Sequence, residues 1–171
     1  MSTRCNVHVM QSGCHWEEKV QLYHHCDGYP SNMLPLFAKA FEDSRKRIEK
    51  YAKKHGFKHA DYWEMGRAGK AAGMIIASDV GQFEPECGLD LHGDIDYFYL
   101  VEVRNSKDGS MAEEPTWYVT VYQPPEYTGK DGGDGRKFYD TRDLKLLRKA
   151  SGPTEVVQAA RELEESQTTV S

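Results

Sequence analysis

The sequence predicts an α+β fold: a mostly antiparallel sheet of four or five strands, with two or three helices packed on one face. Two patterns predict it. Segments in which apolar and polar residues alternate lie near the amino terminus and again in the second half of the chain. Between and after them, apolar residues recur at helical spacing. Because 171 residues are typical of one domain, we expect a single globular domain over residues 1–165 and a flexible tail over residues 166–171.

The chain opens with a predicted β-hairpin. Residues 4–10 form the first strand, because Cys5, Val7 and Val9 alternate with polar residues. The cysteine and the valines therefore share one face of the sheet. Residues 19–26 form the second strand, and the short polar link between the two strands predicts antiparallel pairing.

The next segment predicts a turn followed by a long helix. The tetrapeptide Asp-Gly-Tyr-Pro at 27–30 ends the second strand, because glycine supplies unusual backbone angles and proline cannot continue a strand. Ser31 or Asn32 is expected to cap a helix that runs to about Lys54 with an apolar stripe on one side. A second helix is expected over residues 61–76, although three glycines interrupt it.

The second half of the chain predicts further strands and a final helix. Alternating residues predict strands at residues 94–103, 116–122 and 137–139. The connections are expected to be an irregular segment at 78–93, a mobile glycine-rich loop at 129–135 and a helical turn at 143–148. A final amphipathic helix begins at Ser151, and the residues after Gln167 are expected to fray.

Composition and charge narrow the classes of function. Lys plus Arg number 22 and Asp plus Glu number 27, so the net charge is −5. The protein therefore lacks the positive excess that drives direct nucleic-acid binding. The mean hydropathy is −0.73, and no apolar run approaches the roughly 20 residues of a membrane span. We therefore expect no membrane contact. Because no signal-peptide stretch opens the chain, we expect a cytoplasmic protein.

The four cysteines, at positions 5, 14, 26 and 87, include no Cys-x-x-Cys pair. Without a secretory signal, free thiols are expected rather than disulfides. A zinc site stays open as an interpretation if Cys14 and His15 meet His24 and Cys26 across the hairpin. The other interpretation is that these cysteines are small buried side chains. We expect neither a metal nor another cofactor in the function.

A motif follows the hairpin at residues 20–30, Val-Gln-Leu-Tyr-His-His-Cys-Asp-Gly-Tyr-Pro. It resembles the pattern Tyr-x-His-x-Asp-Gly-Tyr-Pro, which lies between a strand and a long helix in a family of bacterial and phage proteins. Thr-Arg-Cys-Asn at 3–6 and Leu-His-Gly-Asp-Ile at 91–95 are also similar to that family. The resemblance covers roughly a third of the chain and implies a fold and a phage or mobile-element origin rather than a mechanism, because the family has no assigned activity.

The first candidate site is the turn after the second strand. His25 followed by Asp27 favours a neutral imidazole that acts as a base or as a hydrogen-bond donor. The phenols of Tyr23 and Tyr29 suit stacking on a planar ligand. The alternative is a structural corner, in which Asp27 bonds the following amides and His25 packs beneath the helix.

The second candidate lies at residues 66–71, Gly-Arg-Ala-Gly-Lys-Ala. It is not a P-loop, because only two residues separate its glycines and alanine follows the lysine. Arg67 and Lys70 nevertheless suit an anionic ligand near the start of a helix. The alternative is a helix that packs closely over small residues.

The third candidate is Asp90, His92, Asp94 and Asp96, which share one face if the segment is extended. Carboxylates with an imidazole suit a divalent metal and metal-assisted hydrolysis. The alternative is a solvated start to the next strand.

Aromatic residues on the later strands provide a fourth candidate. They are Tyr97, Tyr99, Trp117, Tyr118 and Tyr122. They either pack as core or leave a platform for a base ring or a partner protein.

The leading hypothesis is a small cytoplasmic, phage-like binding protein rather than an enzyme. It sequesters an anionic or planar, nucleotide-like ligand, or it inhibits a host defence protein. The expected ligand-binding residues are Tyr23, His25, Asp27, Tyr29, Arg67, Lys70 and His92. The alternative is a metal-assisted hydrolase or phosphodiesterase that uses His25, Asp27, His92, Asp94 and Asp96. A third hypothesis is an assembly protein whose sheet edges pair into a homo-oligomer.

Overall fold

The computed structural model describes residues 3–12, 18–54, 83–85, 95–104, 116–125 and 144–170. The elements in this part of the chain are β1 (Cys5–Ser12), β2 (Glu18–His24), α1 (Pro30–Lys54), β3 (Phe83–Pro85), β4 (Tyr97–Arg104), β5 (Thr116–Gln123), β6 (Lys145–Ser151) and α2 (Gly152–Val170). No helix among these residues is long and apolar enough to cross a membrane.

The described strands form one sheet in the order β3-β2-β1-β4-β5-β6. β1 and β4 are parallel, and every other neighbouring pair is antiparallel. The predicted α+β class and the mostly antiparallel sheet are therefore confirmed. Five of the strands have seven or eight residues, and the sixth, β3, has only three. The predicted hairpin is also confirmed, with Val7 opposite Leu22.

Both helices share one hydrophobic cluster with one face of the sheet. Val7 and Val101 come from the sheet, Phe37 from α1 and Ala159 from α2, and all four are at most 1% exposed. These side chains lie on one face of their strands because alternate residues of a strand point the same way. Each fully buried apolar side chain of valine size or larger stabilises the fold by about 1.5–3 kcal/mol.

The opposite face of the sheet carries a smaller cluster formed by Tyr23, Ile95 and Phe98. Polar side chains are buried beside it: Asn6 is 0% exposed and His8 is 3% exposed. The His8 imidazole meets the Phe98 ring edge-on at 4.8 Å between centroids. Both faces of the central strands are therefore buried. Successive side chains of β1 and β4 point alternately toward the larger and toward the smaller cluster, rather than alternately into the core and into solvent.

Two predictions about elements need correction. Residues 145–151, within and just after the predicted helical turn at 143–148, form strand β6 because they pair with β5. Three residues of the segment predicted as irregular form β3 at the side of β2. Helix α2 extends to Val170, within the predicted tail at 166–171, whose flexibility stays a prediction. The predicted helix at 61–76, the loop at 129–135 and the strand at 137–139 lie outside the described residues.

Candidate functional site

The motif that follows β2 lies at one edge of the sheet, where several elements begin or end. Cys5, the first residue of β1, pairs with His24 at the end of β2 and with Tyr97 at the start of β4. Helix α1 begins nearby at Pro30. We call the link between β2 and α1, residues 25–29, the β2–α1 corner. Its position beside three strand ends gives its side chains a fixed framework.

Gly28 fixes the corner to the sheet. Its amide donates to the carbonyl oxygen of Thr3 at 3.0 Å, and its carbonyl oxygen accepts from the Tyr99 hydroxyl at 2.7 Å. A Cβ at this position would lie 3.0 Å from Cys5 Cβ. Only a residue without a side chain therefore lets the corner approach β1 this closely.

Asp27 has a left-handed backbone, with a φ of 58°. Aspartate tolerates this region better than most residues. The Asn32 side-chain amide donates to the Asp27 carbonyl oxygen at 2.8 Å, which braces the turn. The predicted caps Ser31 and Asn32 are already inside α1, because Pro30 takes the first helical position, where its missing amide proton costs nothing. The Asp27 carboxylate itself is exposed.

Aromatic groups line the corner with different exposures. Tyr23 is 3% exposed and belongs to the smaller cluster, whereas Tyr29 is 40% exposed. His25 is exposed, and its ring meets the Tyr23 ring edge-on at 4.5 Å between centroids. Tyr23 thus orients the imidazole from below, while the ring of Tyr29 and the imidazole of His25 are accessible to a ligand. The expectation that His25 packs beneath the helix does not fit its exposure.

Asp96 adds a second carboxylate to this edge. Its backbone amide donates to the Arg4 carbonyl oxygen, and its Oδ2 accepts from the Arg4 amide, both at 2.9 Å. Asp96 is exposed. The alternation of the sequence suggested Asp96 only as a metal ligand. The parallel pairing of β1 with β4, which brings it beside the corner, leaves no local signal in the sequence.

Tyr97 links this edge to the end of α2. Its hydroxyl accepts a hydrogen bond from the side-chain amide of Gln167. Burial raises the pKa of the Tyr97 phenol above its ordinary value, the bond from Gln167 lowers it, and the nearby Asp96 and Tyr29 raise it further. These electrostatic effects place Tyr29, Asp96, Tyr97 and Gln167 in one neighbourhood. Gln167 was missed because its position within the predicted flexible tail at 166–171 gave no reason to consider it.

The structure does not describe three of the expected ligand-binding residues, Arg67, Lys70 and His92. The partners of the proposed zinc and metal sites, Cys14, His15, Asp90 and Asp94, also lie outside the described residues. Within the described part of the chain, no group of three or more His, Cys, Asp or Glu residues could hold a metal ion. In that part of the chain, neither Cys5 nor Cys26 forms a disulfide. The zinc and hydrolase interpretations stay predictions.

Most of the aromatic residues on the later strands pack as core. Tyr97 and Tyr99 belong to the larger cluster, and Trp117 packs against it through a stack on Phe41 at 4.1 Å between centroids. Tyr122 is half-buried and stacks on Phe98 at 5.7 Å. A broad aromatic platform is therefore absent from this part of the sheet, and the exposed aromatic surface near the site is Tyr29.

No protein-family model, curated protein or solved structure matches this chain. The functional argument therefore rests on the chemistry of the corner. It offers an exposed phenol, an imidazole and two carboxylates, all attached to a backbone that is bonded to the sheet. Such groups can stack on a planar ring and accept hydrogen bonds from its N–H or O–H groups.

Proposed function

We propose that this protein is a cytoplasmic binding protein that sequesters a planar, nucleotide-like ligand at the β2–α1 corner. One observation carries the proposal: the side chains of His25, Asp27 and Tyr29 are exposed, while the backbone between them is fixed by Gly28. Binding groups on a rigid framework lose little conformational freedom when a ligand arrives. A corner that served only to reverse the chain would not need this set of exposed groups.

Each group has a role in this proposal. The Tyr29 ring stacks on the base, and His25 donates a hydrogen bond or stacks from the side. Asp27 accepts from a base amine or a ribose hydroxyl, as carboxylates do in dinucleotide sites. Arg67, Lys70 and His92 complete the site by holding the phosphates. Tyr23 supports His25 from the smaller cluster without touching the ligand.

The biological form of the proposal follows the resemblance of the motif to bacterial and phage proteins. A phage-borne protein that removes a nucleotide signal would interfere with a host defence that uses the signal. If a host defence protein carries the nucleotide signal, that host protein would be the partner with which this protein interferes. This form adds a biological purpose to the binding chemistry and is tested separately from it.

The test is a thermal-shift screen followed by calorimetry. The probes are ATP, cyclic AMP, cyclic di-GMP and ADP-ribose. A ligand present at a hundredfold excess over Kd stabilises the folded state by about 2.7 kcal/mol. At about 2–4 °C per kcal/mol for a chain of this size, Tm rises by about 5–10 °C.

Two variants connect any shift to the corner. Tyr29→Ala removes the stacking ring and is expected to abolish the shift, while Tyr29→Phe keeps the ring and most of the affinity. Asp27→Gly removes the carboxylate and leaves a residue at ease with a φ of 58°. Its own stability should therefore stay within about 1 kcal/mol of wild type, while the ligand-induced shift is lost. The proposal fails if no probe shifts Tm, or if the shift survives both Tyr29→Ala and Asp27→Gly.

A further inference from the structure

Among the described strands, β6 (Lys145–Ser151) is the last strand on one side of the sheet, away from the β2–α1 corner. Among the described strands it has one neighbour, β5. Lys145, Leu146 and Lys149 are exposed, and Leu146, at 57%, is more exposed than any other large hydrophobic residue in the described part of the chain. The outer backbone groups of an edge strand are able to pair with another strand.

A β-bulge determines which side chains line this edge. Arg148 lies opposite Val121, but Leu146 lies opposite Tyr122, so one extra residue is inserted in β6. Residues directly opposite each other point to the same face of a sheet. Leu146 and Lys149, which lie opposite Tyr122 and Thr120, therefore share one face although they are three positions apart.

The charge of β6 is positive, with Lys145, Arg148 and Lys149 and no acidic residue. The Arg148 guanidinium is already balanced, because its Nε lies 3.1 Å from a Glu162 carboxylate oxygen of α2. Lys149 lies over the Tyr118 ring, with Nζ 5.1 Å from the ring centroid. The ammonium groups of Lys145 and Lys149 thus remain without a carboxylate in the described structure, on a chain whose net charge is −5.

We propose that the β6 edge binds an acidic extended segment of another protein by strand addition. Backbone hydrogen bonds would supply affinity, and the side chains would supply specificity. Lys145 lies opposite Gln123 and so on the other face from Leu146 and Lys149. Acidic residues of the partner would meet Lys145 on one face and Lys149 on the other, and an apolar residue would cover Leu146. A strand of seven residues at about 3.3 Å per residue spans about 23 Å, so the occupant needs about seven residues in extended form.

A second copy of this chain is a poorer occupant of the same edge. Pairing two β6 strands would bring the lysines of both strands together, and like charges across neighbouring strands are destabilising. Lysine and bulges on edge strands discourage pairing with neutral or basic strands. An acidic partner converts the same lysines into attraction, so the charge of the edge selects the partner.

The experiment uses two fluorescent peptides of about nine residues. One repeats Glu-Val-Val, which can place Glu at Lys145 and Lys149 and Val at Leu146 across the bulge, and the other repeats Lys-Val-Val. Fluorescence anisotropy is measured with the full chain. The Glu peptide is expected to bind at least about tenfold more tightly than the Lys peptide, by charge complementarity. Hydrogen exchange should show new protection over residues 145–151 when the Glu peptide is bound.

Two double variants test the location. Lys145→Glu with Lys149→Glu is expected to reverse the peptide preference. The matched control, Lys53→Glu with Lys54→Glu, makes the same change of charge on the exposed last turn of α1 and should leave the preference unchanged. Thermal melts of both double variants verify that they fold. Leu146→Ala, at an exposed position, should weaken binding a few-fold without affecting the melt.

Three results would overturn the proposal. One is failure of the Glu peptide to bind. Another is an equal loss of binding in the α1 control, which would reveal a response to net charge alone. The third is a wild-type dimer in sedimentation equilibrium that dissociates in Lys145→Glu with Lys149→Glu, because that result assigns the edge to a second copy.

Discussion

Replacing Gly28 by alanine tests whether close packing holds the β2–α1 corner in place. The new Cβ would lie 3.0 Å from Cys5 Cβ, 3.1 Å from the Arg4 carbonyl carbon and 3.1 Å from Cys5 Sγ. Two of these atoms belong to the backbone of the first strand or are attached directly to it, so they have little room to move. The corner or the start of β1 must therefore shift.

The magnitude follows from two opposing effects. Forcing an extra methyl group into a packed site costs about 1–3 kcal/mol. Alanine also restricts the unfolded chain more than glycine does, which stabilises the folded state by about 0.4–1 kcal/mol. The net loss for Gly28→Ala is about 1–2 kcal/mol, which at about 2–4 °C per kcal/mol lowers Tm by about 2–8 °C.

Urea denaturation followed by tryptophan fluorescence measures this loss. The control is Gly152→Ala, where a Cβ meets nothing within 4 Å but the φ is +76°. Alanine there also costs about 1–2 kcal/mol, but through backbone strain at the start of α2. Amide exchange at residues 27–33 should rise beyond the global change in stability only in Gly28→Ala. If Gly28→Ala is as stable as wild type, or if both variants change exchange at the corner equally, close packing does not fix the corner.

Three further predictions concern buried groups of the fold. Tyr99→Phe removes the donor to the Gly28 carbonyl oxygen and should lower the unfolding free energy by about 1–3 kcal/mol in urea; an unchanged midpoint would contradict the role of this bond. Burial raises the pKa of the Cys5 thiol above its ordinary 9.0 and that of the Tyr99 phenol well above 10.0. The unfolded chain therefore loses these protons first, and stability should be full below about pH 9 and fall above it by up to about 1.4 kcal/mol per pH unit and group. Cys5→Ala should remove the part of this slope that starts near pH 9, and the same slope in the variant would refute the assignment. Phe41→Ala, which empties a stacked position beside Trp117, should cost about 3–5 kcal/mol by the same denaturation assay, and a loss below about 1 kcal/mol would show that the stack contributes little.

The parts of the fold that could be predicted are those that local patterns specify. The alternation around Val7 indicated both the strand and its buried face, and the short link after it indicated the hairpin. The expected cap at Ser31 or Asn32 and the stripe of apolar residues behind it indicated the long helix, which begins slightly earlier, at Pro30. Each of these signals lies within one element, so no knowledge of distant contacts was needed.

Strand β6 could not be predicted because its residues favour another structure. Lys, Leu, Arg and Ala are good helix formers, and Lys-Leu-Leu-Arg-Lys-Ala precedes a true helix. Pairing with β5 overrides that preference, and it buries Ala150 beside Val119. Strand propensity is set largely by such contacts, which a single sequence does not display.

The sequence indicated the loop that carries the candidate site, but it did not indicate which residues would surround that loop. The sequence indicated a turn at Asp27, Gly28 and Tyr29 because such residues allow the special backbone angles that a turn requires. Tyr99, which bonds Gly28 from 71 positions away, was considered only as core or platform. Its contribution depends on the parallel pairing of β1 with β4, and a parallel pair needs a long connection whose path local patterns do not reveal.

The charge around the corner decides which part of a nucleotide it would hold. Free amides at the start of a helix attract anions, but the exposed carboxylates of Asp27 and Asp96 lie at this same edge of the sheet. A phosphate placed directly against them would be repelled, whereas a base amine or a sugar hydroxyl would be accepted. The described part of the proposed site therefore suits the base and the sugar, and the proposal assigns the phosphates to Arg67 and Lys70, which lie outside the described residues. Under this proposal, the aromatic ring of Tyr29 and the Asp27 carboxylate would determine which base is selected.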